Sequence, residues 1–251
     1  MSNTVLVTGA NGFVGHAVVA ELDKRRWSVC AGVRQVDNNC ALFSNTSVDT
    51  VVLGDLSDKP VLEEVLFSIK SIVHCAGLAH VMKDNSIDVL STYRKQNTQA
   101  TLNLAYQAEA AGVRRFVFIS TVKVNGEQTP LGRPFTEDDV CFASDPYGIS
   151  KLEAEQGLLK LAKESNMEVV VIRPVLVYGK GVKGNFFAMT RLVSSGLPLP
   201  FGGIINLRSL MSIDNLVDFI ITCIDHPKAA NQIFLASDGV DVSTTQLLRK
   251  I

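Results

Sequence analysis

The chain carries almost no surplus charge: 24 lysines and arginines stand against 25 aspartates and glutamates in 251 residues. A balance of −1 lacks the broad positive field that nucleic acid or an anionic membrane surface attracts, so neither is expected as a partner. The one short basic cluster, Lys24-Arg25-Arg26, reads as the solvated end of a helix. Long hydrophobic runs are missing too. Val169-Val170-Val171-Ile172 has strand length, far below the roughly 20 apolar residues that span a bilayer. The amino-terminal stretch has no basic-then-apolar signal layout. The five cysteines (Cys30, Cys40, Cys75, Cys141, Cys223) form no CxxC pair and keep no metal-like spacing with histidine. No metal site and no disulfide framework are expected, and a reduced, cytoplasmic protein follows. Internal repeats and low-complexity linkers are also absent.

What the chain does have is an alternation. Short β-branched runs at Thr4–Val7, Ser28–Val33, Val48–Leu53, Ser71–Val73, Arg115–Ile119 and Glu168–Ile172 read as buried strands, because near-continuous apolar content suits a parallel sheet covered on both faces. Helical stretches at 12–24, 58–68, 86–112 and 146–165 separate them. The fold class this predicts is α/β, a doubly wound parallel sheet with right-handed crossovers. Past Tyr178 the rhythm changes to glycine- and proline-rich segments, a helix at Asp214–Asp225 and a strand at Ile233–Ala236. The expected division is a nucleotide-binding domain over 1–178 and a partial substrate-binding region over 179–251, with 208–236 packing back on the core. The chain stops at Ile251 just after the start of a helix expected at Ser243, and a further carboxyl-terminal segment is expected.

The first predicted strand runs into Thr8-Gly9-Ala10-Asn11-Gly12-Phe13-Val14-Gly15, and a helix follows. Glycines here permit a tight turn, close backbone approach to a pyrophosphate, and close helix–strand packing. The free N–H groups and positive dipole end of the helix face the phosphates. Glycine triplets are common, but strand-before and helix-after is the context of a Rossmann dinucleotide site. After the second strand, an acid would bind both ribose hydroxyls of NAD, whereas a cation favours the 2′-phosphate of NADP. The sequence offers Arg34, with no acid until Asp37, which leans the expectation toward NADP(H). Asp55-Leu56, after the third strand, is placed to touch adenine.

Tyr147-Gly148-Ile149-Ser150-Lys151 sets a phenol and an ammonium on one helix face. A free Tyr titrates near ~10. A cation about 4 Å away contributes up to about 4 kcal/mol at an effective dielectric of about 20, so the phenol is expected to fall by roughly three pKa units, toward working pH.

Together with His74-Cys75-Ala76-Gly77, Asn97, Ser120-Thr121 and Arg173-Pro174 through Tyr178-Gly179, these motifs make the whole chain resemble the extended short-chain dehydrogenase/reductases, the NAD-dependent epimerase/dehydratase family. The resemblance implies a catalytic triad of Thr121, Tyr147 and Lys151, with Ser120 as the fallback for Thr121. It implies cofactor contacts at Gly9, Gly12, Phe13, Val14, Gly15, Arg34, Asp55, Leu56, Cys75, Ala76, Gly77, Asn97, Pro174 and Val177, besides Tyr147 and Lys151. For the substrate, a UDP-sugar, it implies Thr121, Asn185, Leu199 in the base pocket, and Arg208 on the diphosphate, where an arginine fork suits phosphate oxygens. Sugar 4,6-dehydratases carry Thr-Asp-Glu where this chain has Thr121-Val122-Lys123, so dehydration is not expected. The leading expectation is a 4-keto-sugar reductase using exchangeable NAD(P)H, which suits Arg34. The alternative is a UDP-glucose or UDP-N-acetylglucosamine 4-epimerase with tightly held NAD. A non-catalytic NAD(P)-binding or sensing protein is a third reading, against which both Tyr147 and Lys151 stand. Apolar residues on more than one face of the 86–112 and 146–165 helices (Leu152, Leu158, Leu159 and Leu161 on the second) point to a homodimer.

Overall fold

The computed structural model describes residues 4–35, 43, 46–79, 88–130, 132–182, 185–194 and 206–250. Its centre is a seven-stranded sheet in the order β3-β2-β1-β4-β5-β6-β9. The strands are β1 (Thr4–Thr8), β2 (Val29–Val33), β3 (Asp49–Val52), β4 (Ile69–His74), β5 (Arg115–Ile119), β6 (Glu168–Pro174) and β9 (Ile233–Ala236). Every pairing in it is parallel. Because successive side chains point to opposite faces, each strand feeds two cores. Val5 and Val7 face one core with Val18, Leu22, Leu216 and Ile220. Leu6, Ile72, Phe116 and Phe118 face the other with Leu104 and Leu158. Those residues are fully buried or nearly so, and each such aliphatic or Phe side chain contributes about 1.5–3 kcal/mol.

The first face is covered by α1 (Phe13–Lys24) and α7 (Ile213–Asp225), which pack on each other. In α7, Ile213, Leu216, Val217, Ile220, Ile221 and Ile224 are buried at helical spacing, and Ser212 caps the helix by accepting from the Asp214 N–H. Residues 213–236 therefore lie on the same sheet as the amino-terminal strands. The second face is covered by α4 (Ala100–Ala110) and α5 (Pro146–Glu164). Arg115, fully buried, binds Glu168 of the neighbouring strand and the carbonyls of Cys223 and His226, which would otherwise be orphaned at the end of α7. A smaller sheet of β7 (Leu176–Tyr178), β8 (Arg208–Ser212) and β10 (Asp241–Val242) stands beside the main one. Among the described residues, no helix is long and apolar enough to cross a membrane.

Three sequence expectations change. The helix predicted over 58–68 is a 3-10 turn at Leu56–Asp58 and one α-helical turn, α2 (Glu63–Leu66). Lys59 adopts a left-handed φ of 55° and Pro60 follows it, and together they end the helical path. The helix predicted over 86–112 is described from α3 (Val89–Tyr93) through α4, with a π-helical segment at Arg94–Gln99 between them. Leu158 and Leu161 are buried in the chain's own core. They are not surplus apolar surface, which leaves Leu152 and Leu159 half-buried on α5.

Candidate active site

The site follows the carboxyl ends of the parallel strands, where an open α/β sheet binds ligands. Gly9 takes φ +65°, and a Cβ there would sit 2.7 Å from the Ala76 nitrogen. At Gly15 a Cβ would collide with the Gly9 carbonyl. Any side chain at either position would push the turn open. Gly12 begins α1 in extended conformation with no side-chain cap, so the first-turn N–H groups, including those of Phe13 and Val14, have no side-chain partner at the helix start. The turn borders a cleft of about 330 Å³ that continues past Arg34, Asp55, Leu56, Cys75, Ala76, Gly77 and Gln96.

At the far end of this cleft the structure adds a residue that the sequence reading passed over. The Arg34 guanidinium donates to Gln96 Oε1 at 2.7 Å, and Gln96 Nε2 donates to Asp55 at 3.1 Å. Burial alone would raise the Asp55 carboxyl. Bonds from Ser57 and Gln96, with the Arg34 charge, hold it at about 2 instead. Leu56 is buried behind it.

The loop after β4 is held from beneath. Thr8 Oγ1 accepts from the Ala76 N–H and lies 2.7 Å from His74 Nδ1, while His74 Nε2 lies 2.9 Å from Thr101 Oγ1. The neutral ring bridges the two threonine hydroxyls, and either tautomer satisfies both contacts. Burial, then the Lys151 charge, pulls the imidazole down to about 3, so it is neutral. Asn97 is fully engaged: its amide donates to Leu78 O and Ser150 Oγ and accepts from the Leu78 N–H. It shapes the wall at Gly77 rather than projecting a free group into the cleft. Burial raises the Cys75 thiol to about 12 despite Lys151, which keeps it protonated.

Tyr147 and Lys151 lie on the first turns of α5, and Asp145 caps that helix by accepting from the Gly148 N–H at 2.9 Å. Lys151 Nζ donates to Ile119 O at 2.9 Å, lies 4.5 Å over the Phe118 ring, and would stand 3.2 Å from a Cβ at Gly77. Its ammonium thus reaches the cofactor wall. Burial lowers it to about 8, against Cys75 and Glu155, which raise it. The expected depression of the phenol is not found. Burial, then Asp145 and Tyr93, push Tyr147 up to about 12. The physical reason is that Lys151 is directed to the Ile119 carbonyl, while the phenol is desolvated beside a carboxylate.

The two hydroxyls after β5 separate clearly. Ser120 is buried and donates to Glu155. Thr121 is half-buried, and its oxygen accepts only weakly, at 3.3 Å, from the Lys123 N–H, which leaves its proton to donate. Glu155 sits one turn after Lys151 on α5 and pairs with Arg173 of β6 at 2.6 Å; both are buried. Arg173 also donates to Asn125 Oδ1 at 3.1 Å and to Cys141 Sγ at 3.3 Å. An acid on a helix face shared with Tyr147 and Lys151, and a cation inside an apolar strand, were the available sequence signals for this pair. Pro174 closes β6 and Val177 lies in β7. Asn185 begins α6 (Asn185–Ser194) and Arg208 opens β8, exposed. Leu199 lies outside the described residues.

A Gly-rich turn, a cleft along the strand ends, and a Tyr–Lys helix beside it define a dinucleotide-dependent oxidoreductase fold. The model of the NAD dependent epimerase/dehydratase family matches residues 5–236, and the chain belongs to that family. It is an enzyme of the extended short-chain dehydrogenase/reductase type, in a family described as NAD dependent. A UDP-glucose 4-epimerase of Vibrio cholerae is 51% identical over 255 residues, spanning 100% of this chain and 75% of that relative. The structure of MoeE5 in complex with UDP-glucose and NAD is 28% identical with a TM-score of 0.80, covering 97% of this chain and 79% of that one. The UDP-glucose 4-epimerase of Thermotoga maritima with UDP-glucose shares the fold at a TM-score of 0.82 and 24% identity, covering 98% and 80%.

Proposed function

We propose that the protein is a UDP-hexose 4-epimerase that keeps NAD in the cleft beneath Gly9–Gly15. The 51% identity to the Vibrio cholerae UDP-glucose 4-epimerase across the whole chain carries this reading. It displaces the 4-keto-sugar reductase expected from Arg34, which remains as the second reading. The cradle fits a dinucleotide: a Cβ at Gly9 would push the turn off the post-β4 loop and one at Gly15 would push α1 off the Gly9 carbonyl, so the glycines keep the start of the helix close to the cleft. Bound NAD would accept a hydride from the sugar C4 and return it.

The residues supply the proton chemistry. Tyr147 takes the proton from the 4-hydroxyl and gives it back. Thr121 donates to the same oxygen, which aligns O4 with the phenol. Lys151, from its place against Gly77, supports the phenolate and the nicotinamide ribose. Bound NAD would bring a positive charge near the phenol, against the burial and the Asp145 carboxylate that raise it. Inversion requires the C4 carbonyl to present its other face before hydride returns. The hold on the substrate therefore belongs to the UDP part, with Arg208 on the diphosphate. The resident cofactor is read as NAD rather than NADP. Arg34 is already engaged by Gln96, and among the described residues no second cation lines the cleft beside it and Asp55.

Incubation with UDP-glucose or UDP-N-acetylglucosamine tests the reading: the 4-epimer should appear without net NADH release. Tyr147→Phe should slow the conversion by roughly 10²–10⁴-fold while still binding cofactor. Steady NAD(P)H consumption with a UDP-4-keto-sugar and no interconversion would favour the reductase. An affinity for NADPH roughly 10- to 150-fold above that for NADH, the size of a charge-assisted contact, would restore Arg34 as a 2′-phosphate ligand.

A further inference from the structure

β2 ends at Val33, so Arg34 is the first residue past it, where a cation would meet the 2′-phosphate of NADP. Gln96, in the π-helical segment Arg94–Gln99, lines the same cleft. Its amide is bonded at both ends. Oε1 accepts from Arg34 Nη2 at 2.7 Å, and Nε2 donates to Asp55 Oδ2 at 3.1 Å. A neutral amide thus links the cation to an anion, head to tail. Resting on the reading of NAD as the resident cofactor, we propose that Gln96 is a positioning residue that sets the preference for NAD over NADP. It commits the Arg34 guanidinium to the Asp55 side of the cleft, where it does not serve a 2′-phosphate.

A guanidinium grips phosphate best through two parallel N–H bonds from its fork. With Nη2 given to Gln96, a phosphate would have to displace a 2.7 Å bond to engage that fork fully. It would also approach the Asp55 carboxylate, one amide away from the guanidinium. A 2′-phosphate is repelled by a carboxylate, whereas a free ribose hydroxyl can donate to one. Holding the loop after β3 in place does not account for Gln96. Asp55 keeps two bonds from Ser57, at 2.9 Å from its N–H and 2.7 Å from its hydroxyl. Lys95 pairs with Asp58 at 3.1 Å, and Asn103 donates to the Leu56 carbonyl at 2.9 Å. The loop is therefore tied to the helical segments on either side of Gln96. π-Helical turns gather at functional sites, and this one sends neighbouring side chains to two parts of the cleft. Gln96 goes to Arg34 and Asp55, and Asn97 goes to the wall at Gly77.

NAD and NADP differ only in the 2′-phosphate, so a general loss of shape weakens both and leaves their ratio alone. The test is therefore a competition. The purified protein is incubated in an equal mixture of NAD and NADP until the bound ratio is constant. Free nucleotide is removed, and the bound nucleotide is released and quantified. Wild type should hold NAD in excess. Gln96→Leu frees Arg34 and should raise the bound NADP-to-NAD ratio by roughly 10- to 150-fold, the size of a charge-assisted contact. Gln96→Met, with an unbranched side chain, should do the same and guards against poor packing of the leucine. Adding Arg34→Met to Gln96→Leu should return the ratio to the wild-type value or below it. With NAD in excess in the wild type, a ratio unmoved in Gln96→Leu and Gln96→Met overturns the role of Gln96 and leaves the NAD reading standing. A rise that persists without Arg34 overturns it too. A wild type that does not favour NAD defeats the NAD reading itself, whatever the Gln96 variants do.

Discussion

Acidification should act on the core of this protein at His74. The ring is buried between Thr8 and Thr101, and burial with the Lys151 charge pulls it down to about 3, whereas a histidine in an unfolded chain titrates near ~6.5. Between those values the unfolded chain binds a proton that the folded protein refuses. Stability from this group is therefore complete above about pH 6.5 and falls as the pH drops. Each unit inside the window costs about 1.4 kcal/mol. From about pH 6.5 to about pH 4.5, allowing for the half-titrated start, the loss is about 2 kcal/mol, a large share of an ordinary stability of about 5–15 kcal/mol. Asp55, held at about 2, loses its contribution only below its usual range near ~4, so this window isolates the histidine from that carboxylate. Urea unfolding followed by circular dichroism at several pH values reads the effect, with the m-value as a check that the transition itself is unchanged. His74→Gln should be less stable at neutral pH, because the bridge between Thr8 and Thr101 is altered, yet its stability should vary far less with pH. Parallel pH slopes in wild type and variant would refute a neutral, desolvated His74.

Glu155→Gln should lower stability by about 3–5 kcal/mol, since it leaves the Arg173 charge buried without its partner. At about 2–4 °C per kcal/mol for a chain of this size, calorimetry should record a Tm lower by roughly 6–20 °C. Replacing both residues with Met should recover most of that, and a Glu155→Gln Tm within about 3 °C of wild type would contradict the account. The protein should also be a two-fold homodimer through α4 and α5, where α4 carries Tyr106, 54% exposed, and half-buried Leu102, and α5 carries half-buried Leu152 and Leu159. Light scattering should give twice the chain mass and Tyr106→Glu should reduce it; a monomer in the wild type would rule out the interface.

The order of strands and helices was legible from the sequence because a parallel sheet covered on both faces demands continuous apolar runs, and those at Arg115–Ile119 and Glu168–Ile172 admit little else. The phosphate turn was legible for a similar reason: the strain at Gly9 and the close approach at Gly15 are local requirements that only glycine meets. The Tyr147–Lys151 pair needed only helical spacing. Boundaries shifted where the backbone itself intervened, as at Lys59-Pro60, and the short strands β7 and β10 have too few apolar residues to announce themselves. The direction in which a side chain points, and what it meets there, came from the tertiary structure alone. Spacing put a cation one turn from a phenol and suggested a lowered pKa. Packing turned Lys151 to the Ile119 carbonyl and put Asp145 and Tyr93 around Tyr147, which reversed the sign. Arg34 read as a free cation until Gln96, 62 positions away, was found bonded to it. Ser120 and Thr121 are equivalent as neighbours in sequence, and Glu155 separates them by taking the Ser120 hydroxyl into the core. Electrostatics and hydrogen bonding depend on distance and solvent exposure, and both are set by segments that meet only when the sheet is assembled.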